Sequence, residues 1–482
     1  MYFSVDITWK KKNLLLNEQQ LQFHGDTTLP NIISDLNSPY EFFNYFFTNE
    51  ILNKIVEETN RYSVQKNPNK PANVTVAEIR QFLGITLYMS LVHFPSTRSY
   101  WSEDLGFDKV NTVMSVNNYE RIRHFLHFND NDKMKPRGDP EHDRMHKIRP
   151  LFDELIKNCN SVPLEQFLSV DEQICTSKAR HYMKQYLPNK PHKWGFKFFV
   201  LCGVSGFAYN FELYTGQEND GTKRHANELD LGASANVVVR LSRIVPRNMN
   251  FRLFFDNYYT TIPLLVFLSQ QGIYSLGTVR KNRIQNCKLP EEKVMKKEKR
   301  GTSVEFVGTA DGIDMSSVAW KDNKIVNLLS TFAGTNPISR IKRYEKSKNA
   351  KVDIDCPYII KEYNRHMGGV DLLDGILGRY KITRRSKKWY MRIFYHLLDL
   401  AVVNSWLLYR RTEESRNNTK CMPLAKFKTI LAETLCKFGQ TTTAKRGRPG
   451  SCTIEQGIQI KKKKGCAQHA PVKQVRLDEI GH

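Results

Sequence analysis

The sequence predicts a mixed α/β protein: a sheet covered by helices, with an all-helical region before it and a basic helical return after it. Three observations carry this. Capping signals followed by aromatic residues at helical spacing fill the first 160 residues. Near residue 165 the pattern changes to short apolar runs bounded by turn residues. From there strand-like and helix-like runs alternate, as in a sheet with helices packed on it.

A chain of 482 residues is long for one domain and suggests roughly two to four structural units. Hydrophobic residues at 40% and aromatics at 11% are enough for real cores. Lys+Arg number 73 against 49 Asp+Glu, a formal net charge of +24. A polyanionic partner explains this most simply, because cationic surfaces bind phosphate backbones by releasing counterions. A basic but indifferent surface is the plainer alternative. The 9 cysteines are scattered singly with no C-x-x-C pair, which argues against a disulfide framework or a structural zinc site and fits a reducing compartment. No charged segment followed by an apolar one opens the chain, so no signal peptide is expected. The most apolar stretch, Ile393 to Tyr409, carries His396, Asp399 and Asn404 and is too short and too polar to span a bilayer. No membrane partner is expected.

Taken in order, residues 1–35 read as an irregular arm with a basic cluster, Lys10 to Lys12. Ser38-Pro39-Tyr40-Glu41 is a capping box with Pro at N1, and the helix behind it should end near Asn60-Arg61-Tyr62. Thr75-Val76-Ala77-Glu78 opens a second, amphipathic helix, and a third should hold Tyr119, Ile122, Phe125 and Leu126. These aromatic stripes read as core. Phe167 to Val170 is a short buried strand expected to end at Asp171. Lys197 to Val204 and Ala208 to Tyr214, separated by Gly203 and Gly206, predict a hairpin. Ala235 to Ile244 predicts a helix, Arg252 to Phe255 a strand ended by Asp256, Ile262 to Leu268 a helix, and Ser275 to Val279 a strand. Residues 282–352 read as a β-rich insertion, closed by the basic stretch Arg340 to Tyr344. A basic, helical segment then follows Asp371 and leads into the stripe Trp389, Ile393, Leu397, Ala401 and Leu408, which should pack back onto the first helical region. From about residue 440 the chain is rich in Gly, Thr and Lys, and disorder is expected.

Asp171, Asp256 and Asp371 each sit at the end of an apolar run or the start of a helix, where backbone geometry aims carboxylates into one cleft. If a helix starts at Gly368-Gly369, Asp371 and Asp374 share a face of its first turn. Two Mg²⁺ or Mn²⁺ ions about 3.5–4 Å apart need shared and separate carboxylate oxygens, so this set suits two-metal phosphoryl transfer. Turn-forming or helix-capping aspartates are the duller reading.

The segments that hold these residues, Ser169-Val170-Asp171-Glu172-Gln173, Tyr186-Leu187-Pro188-Asn189-Lys190-Pro191, Phe255-Asp256-Asn257-Tyr258-Tyr259-Thr260-Thr261 and Gly368-Gly369-Val370-Asp371-Leu372-Leu373-Asp374, resemble the piggyBac transposase family. So do Glu57 to Tyr62 and Gly277 to Arg280, in order, within a match running from about residue 22 to residue 430. The resemblance implies a DDE/D transposase with an RNase H-like catalytic core, in which Asp171, Asp256 and Asp371 bind the metals and Asp374 supports them. It further implies cleavage at transposon ends, joining at TTAA targets, hairpinned intermediates, a homodimer and a nuclear location. On this basis the chain divides into an arm (1–35), the first part of a helical DNA-binding and dimerisation region (36–160), the first part of the core (161–281), the β-rich insertion (282–352), the last part of the core with the third Asp (353–378), the second part of the helical region (379–438) and a basic tail (439–482). The cysteine-rich zinc domain common in the family has no counterpart here, nor has its acidic N-terminal tail, so no zinc is expected and chemistry is more expected than autonomous transposition.

Candidate DNA contacts are Lys190 and Lys193 with the neighbouring Tyr186 and Trp194, then Arg379, Lys381, Arg384, Arg385, Lys387 and Lys388, which begin close to the third carboxylate. Arg446-Gly447-Arg448-Pro449 resembles an AT-hook core suited to a narrow minor groove, and Lys461 to Lys464 a nuclear localisation signal. Two readings compete with a transposase: a domesticated DNA-binding protein on the same scaffold, and a metal nuclease unrelated to transposition.

Overall fold

The computed structural model describes residues 7–440 apart from 16–18, 189, 191, 217, 218, 227 and 419. The basic tail, with Arg446, Arg448 and Lys461 to Lys464, lies outside the described residues.

Capping chemistry starts the helical region as the sequence predicts. After a short helix α1 (Asn31–Ser34), the Ser38 hydroxyl accepts from Glu41 N and the Glu41 carboxylate accepts from Ser38 N, opening α2 (Pro39–Phe46). The single helix expected here is two. Phe47 leaves helical geometry, Thr48 caps a new start, and α3 (Asn49–Lys66) runs past residue 60. The second capping box, Thr75 with Glu78, opens α4 (Val76–Leu91). Then come α5 (Asp108–Asn111), α6 (Val116–Phe125) and α7 (Arg149–Asn160). The arm is not wholly irregular, because Thr8–Lys10 forms strand β1.

The sheet begins with β2 (Phe167–Thr176), β3 (Lys184–Tyr186), β4 (Trp194–Gly203) and β5 (Ala208–Leu213). Helix α8 (Ala233–Leu241) leads to β6 (Phe251–Phe255), and α9 (Ile262–Gln270) crosses over to β7 (Ile273–Thr278). After α10 (Glu292–Lys297) come β8 (Ser303–Ala310), β9 (Ile313–Lys321) and β10 (Ile325–Ser330), then a hairpin of β11 (Ser339–Glu345) and β12 (Ala350–Cys356). The main sheet runs β1-β8-β9-β10-β7-β6-β2-β4-β3, with β5 also on β4, while β11 and β12 pair only with each other. Only β2 with β6 and β6 with β7 are parallel; the other pairings are antiparallel. Within the β-rich segment, β8 to β10 continue the central sheet through β10 on β7, while the β11–β12 hairpin leaves it.

The chain ends its described course in α11 (Tyr358–His366), α12 (Gly369–Arg379), α13 (Trp389–Ser415) and α14 (Leu424–Lys437). The segment after α12 does not stay helical as the sequence suggests: residues 380–388 form a basic loop that carries Arg384, Arg385, Lys387 and Lys388. Helices α13 and α14 pack on α2 and α4, so the helical region is built from both ends of the chain, as the apolar stripe predicts. Helix α13 is buried nearly all round, and its polar residues staple it to its neighbours. Asn404 bonds both backbone groups of Ala208 on β5, Asp399 accepts from Ile382 N at 2.8 Å and pairs with buried Lys428 at 3.1 Å. Burial of these groups is tolerated because each is partnered. Among the described residues no helix is long and apolar enough to cross a membrane.

Candidate active site

The sheet's register, not its composition, assembles the site. Strands β2 and β6 run parallel with Val170 beside Phe255. The next residues, Asp171 and Asp256, therefore follow a pair of neighbouring strand positions whose backbones lie about 4.8 Å apart. They lie at the carboxyl ends of the parallel pairing, the edge where ligands bind in sheets of this kind. Strand β2 does not end at Asp171 as expected. It continues to Thr176 because β4 stays paired with it, from Val200 opposite Asp171 to Gly195 opposite Thr176. One edge of Asp171 is thus held by β4 while the other is released where β6 stops.

Past β6 the chain turns on Asp256 itself. Its Oδ1 accepts from Tyr258 N at 2.8 Å and its carbonyl accepts from Thr260 Oγ1 at 2.8 Å. Arg283 clamps the same turn by donating to the carbonyls of Asn257 and Tyr258, and Arg280 donates to Asn257 Oδ1 at 3.1 Å. Asp256 is thus a turn-forming aspartate at the strand end, as the duller reading of the sequence has it.

Helix α12 supplies the third side. A Cβ added to Gly369 would lie 2.5 Å from the Gly203 carbonyl and 2.6 Å from Ser169 Oγ, whereas one on Gly368 would meet nothing within 4 Å. Gly369 therefore lets the first turn of α12 sit directly on β2 and β4. Asp371 and Asp374 then part company. Asp371 is exposed and faces Lys190, whose Nζ lies 3.8 Å from Asp371 Oδ1 and 3.9 Å from Asp171 Oδ2. Asp374 points inward and accepts from Gln173 Nε2 at 2.8 Å.

Gln173 and His396 carry no sequence signal of a role here. Gln173 Oε1 lies 2.8 Å from His396 Nε2 on α13, and both residues are fully buried. Burial holds the imidazole well below its ordinary pKa, so it is neutral. With Gln173 donating to Asp374, its carbonyl must accept, which assigns the proton of His396 to Nε2. A chain of hydrogen bonds thus runs from α13 through β2 to α12. Glu172, next to Asp171 in the same motif, crowds the cleft: burial and the Glu172 carboxyl hydrogen-bonded beside it push Asp171 up to about 8. Burial likewise raises Asp256 and Asp374 above the usual carboxylate range. Lys197 lies 3.6 Å from Glu172 on its far side. Tyr363 of α11, its hydroxyl pushed up to about 12 by burial, feels the charges of Asp256, Asp171 and Asp371 and so overlooks the cleft.

The remaining basic residues are scattered. Lys193 is exposed on the turn after β3, near Tyr186 and Trp194, whose rings lie 4.9 Å apart, tilted at 51°, and are both half exposed. Lys184 lies over that Trp194 ring at 5.1 Å. Arg379, Arg385 and Lys387 are exposed. Lys381 instead turns in toward Thr176 Oγ1, and burial lowers its pKa. Arg384 lies 5.6 Å over the Tyr100 ring, and Lys388 is half buried.

Carboxylate oxygens are the ligands that magnesium and manganese take, so the donor set fits such ions in kind. Among the described residues no three His, Cys, Asp or Glu are drawn closely enough together to hold one. A cation nonetheless stands among the carboxylates: the Lys190 ammonium bridges Asp171 and Asp371.

A family model described as Transposase IS4 matches residues 38–406. The chain is 31% identical over 413 residues to PiggyBac transposable element-derived protein 3 of Homo sapiens, covering 84% of this chain and 66% of that protein. It is 31% identical over 392 residues to PiggyBac transposable element-derived protein 2 of Homo sapiens, covering 80% and 64%. It thus spans just under two thirds of the length of either relative. Its fold is similar to a cryo-EM structure of a piggyBac transposase synaptic complex with hairpin DNA, with a TM-score of 0.70 and 24% identity over 92% of this chain and 93% of that one. The matched span holds the whole of the cleft, from Asp171 to Asp374, and by these matches the chain belongs to the piggyBac transposase family.

Proposed function

We propose that this chain is a metal-dependent DNA transposase that cuts and joins strands at TTAA targets, on an RNase H-like core, as a nuclear homodimer. The observation that carries the reading is the β2–β6 register, which sets Asp171 beside Asp256 with Asp371 reaching over them from α12. Asp171, Asp256 and Asp371 would hold two Mg²⁺ or Mn²⁺ ions. Bound there, divalent ions supply Lewis acidity to the attacking and leaving oxygens of a phosphodiester. The chain's own part is placement. Asp171 and Asp256 are fixed by strand pairing and by the Asp256 turn, and Asp371 is fixed by the seat of Gly369 on the sheet. Asp374 holds α12 through Gln173 and is a positioning residue. Lys184 and the exposed Tyr186 and Trp194 offer a cation and stacking faces for unpaired bases beside the cleft.

A second reading, a domesticated DNA-binding protein without cleavage, is favoured by one observation: Lys190, not a third close carboxylate, closes the cleft. One experiment separates the two. With Mn²⁺ the protein is expected to nick DNA, and Asp256→Asn to lower the rate at least about a thousandfold while sparing DNA binding, as when one member of a group acting together is removed. Nicking that survives the substitution sinks the assignment; binding without nicking under any divalent metal favours the second reading.

A further inference from the structure

Four cations from four separate places meet on the helical region, away from the carboxylate cleft. Lys66 ends α3, Arg123 lies in the last turn of α6, Lys147 precedes α7, and Lys388 closes the basic loop before α13. The three lysines gather round three rings, and Arg123 stands near enough for its charge to act on Lys388. Tyr62 stacks on His127 at 3.6 Å, and His127 lies 5.2 Å from Tyr390. The Lys66 ammonium lies 5.7 Å from the Tyr62 ring and that of Lys147 5.6 Å from the Tyr390 ring, while Lys388 lies 5.6 Å from Tyr62 and 6.0 Å from Tyr390. Lys388 also donates to the His124 carbonyl and Arg123 to the Arg385 carbonyl, so the loop is tied down at the cluster.

The cluster has no anion of its own. Among the described residues none of the four cations makes an ion pair with a carboxylate, and the nearby Asp130 and Asp132 are engaged by Arg61 and Gln65. The groups facing one another are Lys66, Arg123, Lys147 and Lys388, with His127 neutral because burial holds it down to about 4. Burial, and then the charges of Lys147, Arg123 and Lys66, pull Lys388 down to about 8, and burial with Lys66 lowers Lys147. Aromatic faces offset part of this repulsion but leave the charge uncancelled. Three half-buried cations and an exposed Lys66, none of them neutralised by a carboxylate among the described residues, suit phosphate oxygens.

We infer that Lys66, Arg123, Lys147 and Lys388 form a phosphodiester-binding site that grips a DNA backbone across the junction of the two halves of the helical region. The grip reads no bases, so it positions DNA and does not select sequence. That the phosphate belongs to DNA rests on the proposed function; that the cluster binds phosphate does not.

The test uses the full chain and two probes. With duplex DNA, Lys147→Gln/Lys388→Gln is expected to weaken binding evenly across sequences and to reduce the slope of log affinity against log salt by about 2, one for each cation removed. Lys388→Arg should restore its share. With inorganic tripolyphosphate, Lys147 and Lys388 are expected to be protected from acetylation, read by mass spectrometry, while exposed Lys420 is not. An unchanged salt slope in a protein that binds DNA overturns the inference. If the chain binds no DNA, protection by tripolyphosphate upholds the phosphate site and refutes the DNA reading, and absence of protection overturns the inference as well.

Discussion

The cleft at the sheet edge and the cluster on the helical region face the same electrostatic problem with opposite sign. In the cleft, burial and crowding push Asp171, Asp256 and Asp374 up, toward the neutral acid. In the cluster, burial and crowding pull Lys388 and Lys147 down, toward the neutral amine. The two differ in what relieves them. The cleft already holds an internal counter-ion in Lys190, and its geometry rests on paired strands and a helix seated on backbone. The cluster has aromatic faces and two backbone carbonyls but, among the described residues, no paired carboxylate, and a loop supplies its central lysine. Crowding of like charge is common to both regions, whereas rigidity separates them: the proposed reading asks the cleft to align reacting atoms and the cluster only to hold a strand.

That contrast breaks most readily at the helix seat. Gly369→Ala puts a methyl group against an immovable carbonyl, and the fold is expected to lose about 2–3 kcal/mol, the usual cost of overpacking, with loss of nicking. Gly368→Ala has open space and is the control, expected to change stability by less than about 1 kcal/mol, because the weaker N-cap is offset by the entropy removed from the unfolded chain. Urea unfolding reads both, and equal losses would show that the close approach of α12 is not what Gly369 provides. Next in size is Gln173→Leu, which takes this partner from the half-buried Asp374 carboxyl and from the buried His396 N–H. A loss of about 2–3 kcal/mol is expected. A neutral result would mean that the hydrogen-bond chain does not anchor α12.

The cluster should respond in the opposite direction. Lys147→Gln/Lys388→Gln removes repulsion and is expected to gain about 0.5–1 kcal/mol at pH 7, after allowance for solvent screening, even as DNA binding weakens. The pH dependence carries the same sign. Lys388 has a pKa of about 8 in the folded chain against an ordinary 10.5, so between those values the unfolded chain holds the extra proton and stability rises with pH. The proposed grip moves the other way, because DNA affinity should fall as pH rises through about 8. Thermal unfolding and DNA binding between about pH 7 and 9 check both. A Lys388→Gln protein that keeps the full pH dependence of binding would remove Lys388 from the account.

Much of the cleft is legible in the sequence. Apolar runs ending in Asp171 and Asp256, and Gly368-Gly369 before Asp371, announce local geometry that one segment can specify, and the two capping boxes do the same for α2 and α4. Features made by distant segments are not legible. The extension of β2 beyond Asp171 depends on β4, and the hydrogen bond from His396 to Gln173 spans the chain from return helix to core. The separate roles of Gly368 and Gly369 depend on where Gly203 falls. The division of α2 from α3 turns on a single capping hydroxyl, Thr48, inside an otherwise unbroken apolar pattern. Lys66, Arg123, Lys147 and Lys388 share no period or motif; only the fold brings them together.

If Asp171, Asp256 and Asp371 together form a divalent-cation site, as proposed, the Lys190 ammonium stands in part of it. Mn²⁺ binding to the full chain with DNA present, followed by electron paramagnetic resonance, tests it without reference to turnover. The account predicts two bound Mn²⁺ per chain with spin coupling between them, and loss of the coupled signal in Asp171→Asn and in Asp256→Asn. A Mn²⁺ stoichiometry and spectrum unchanged by either substitution would contradict it.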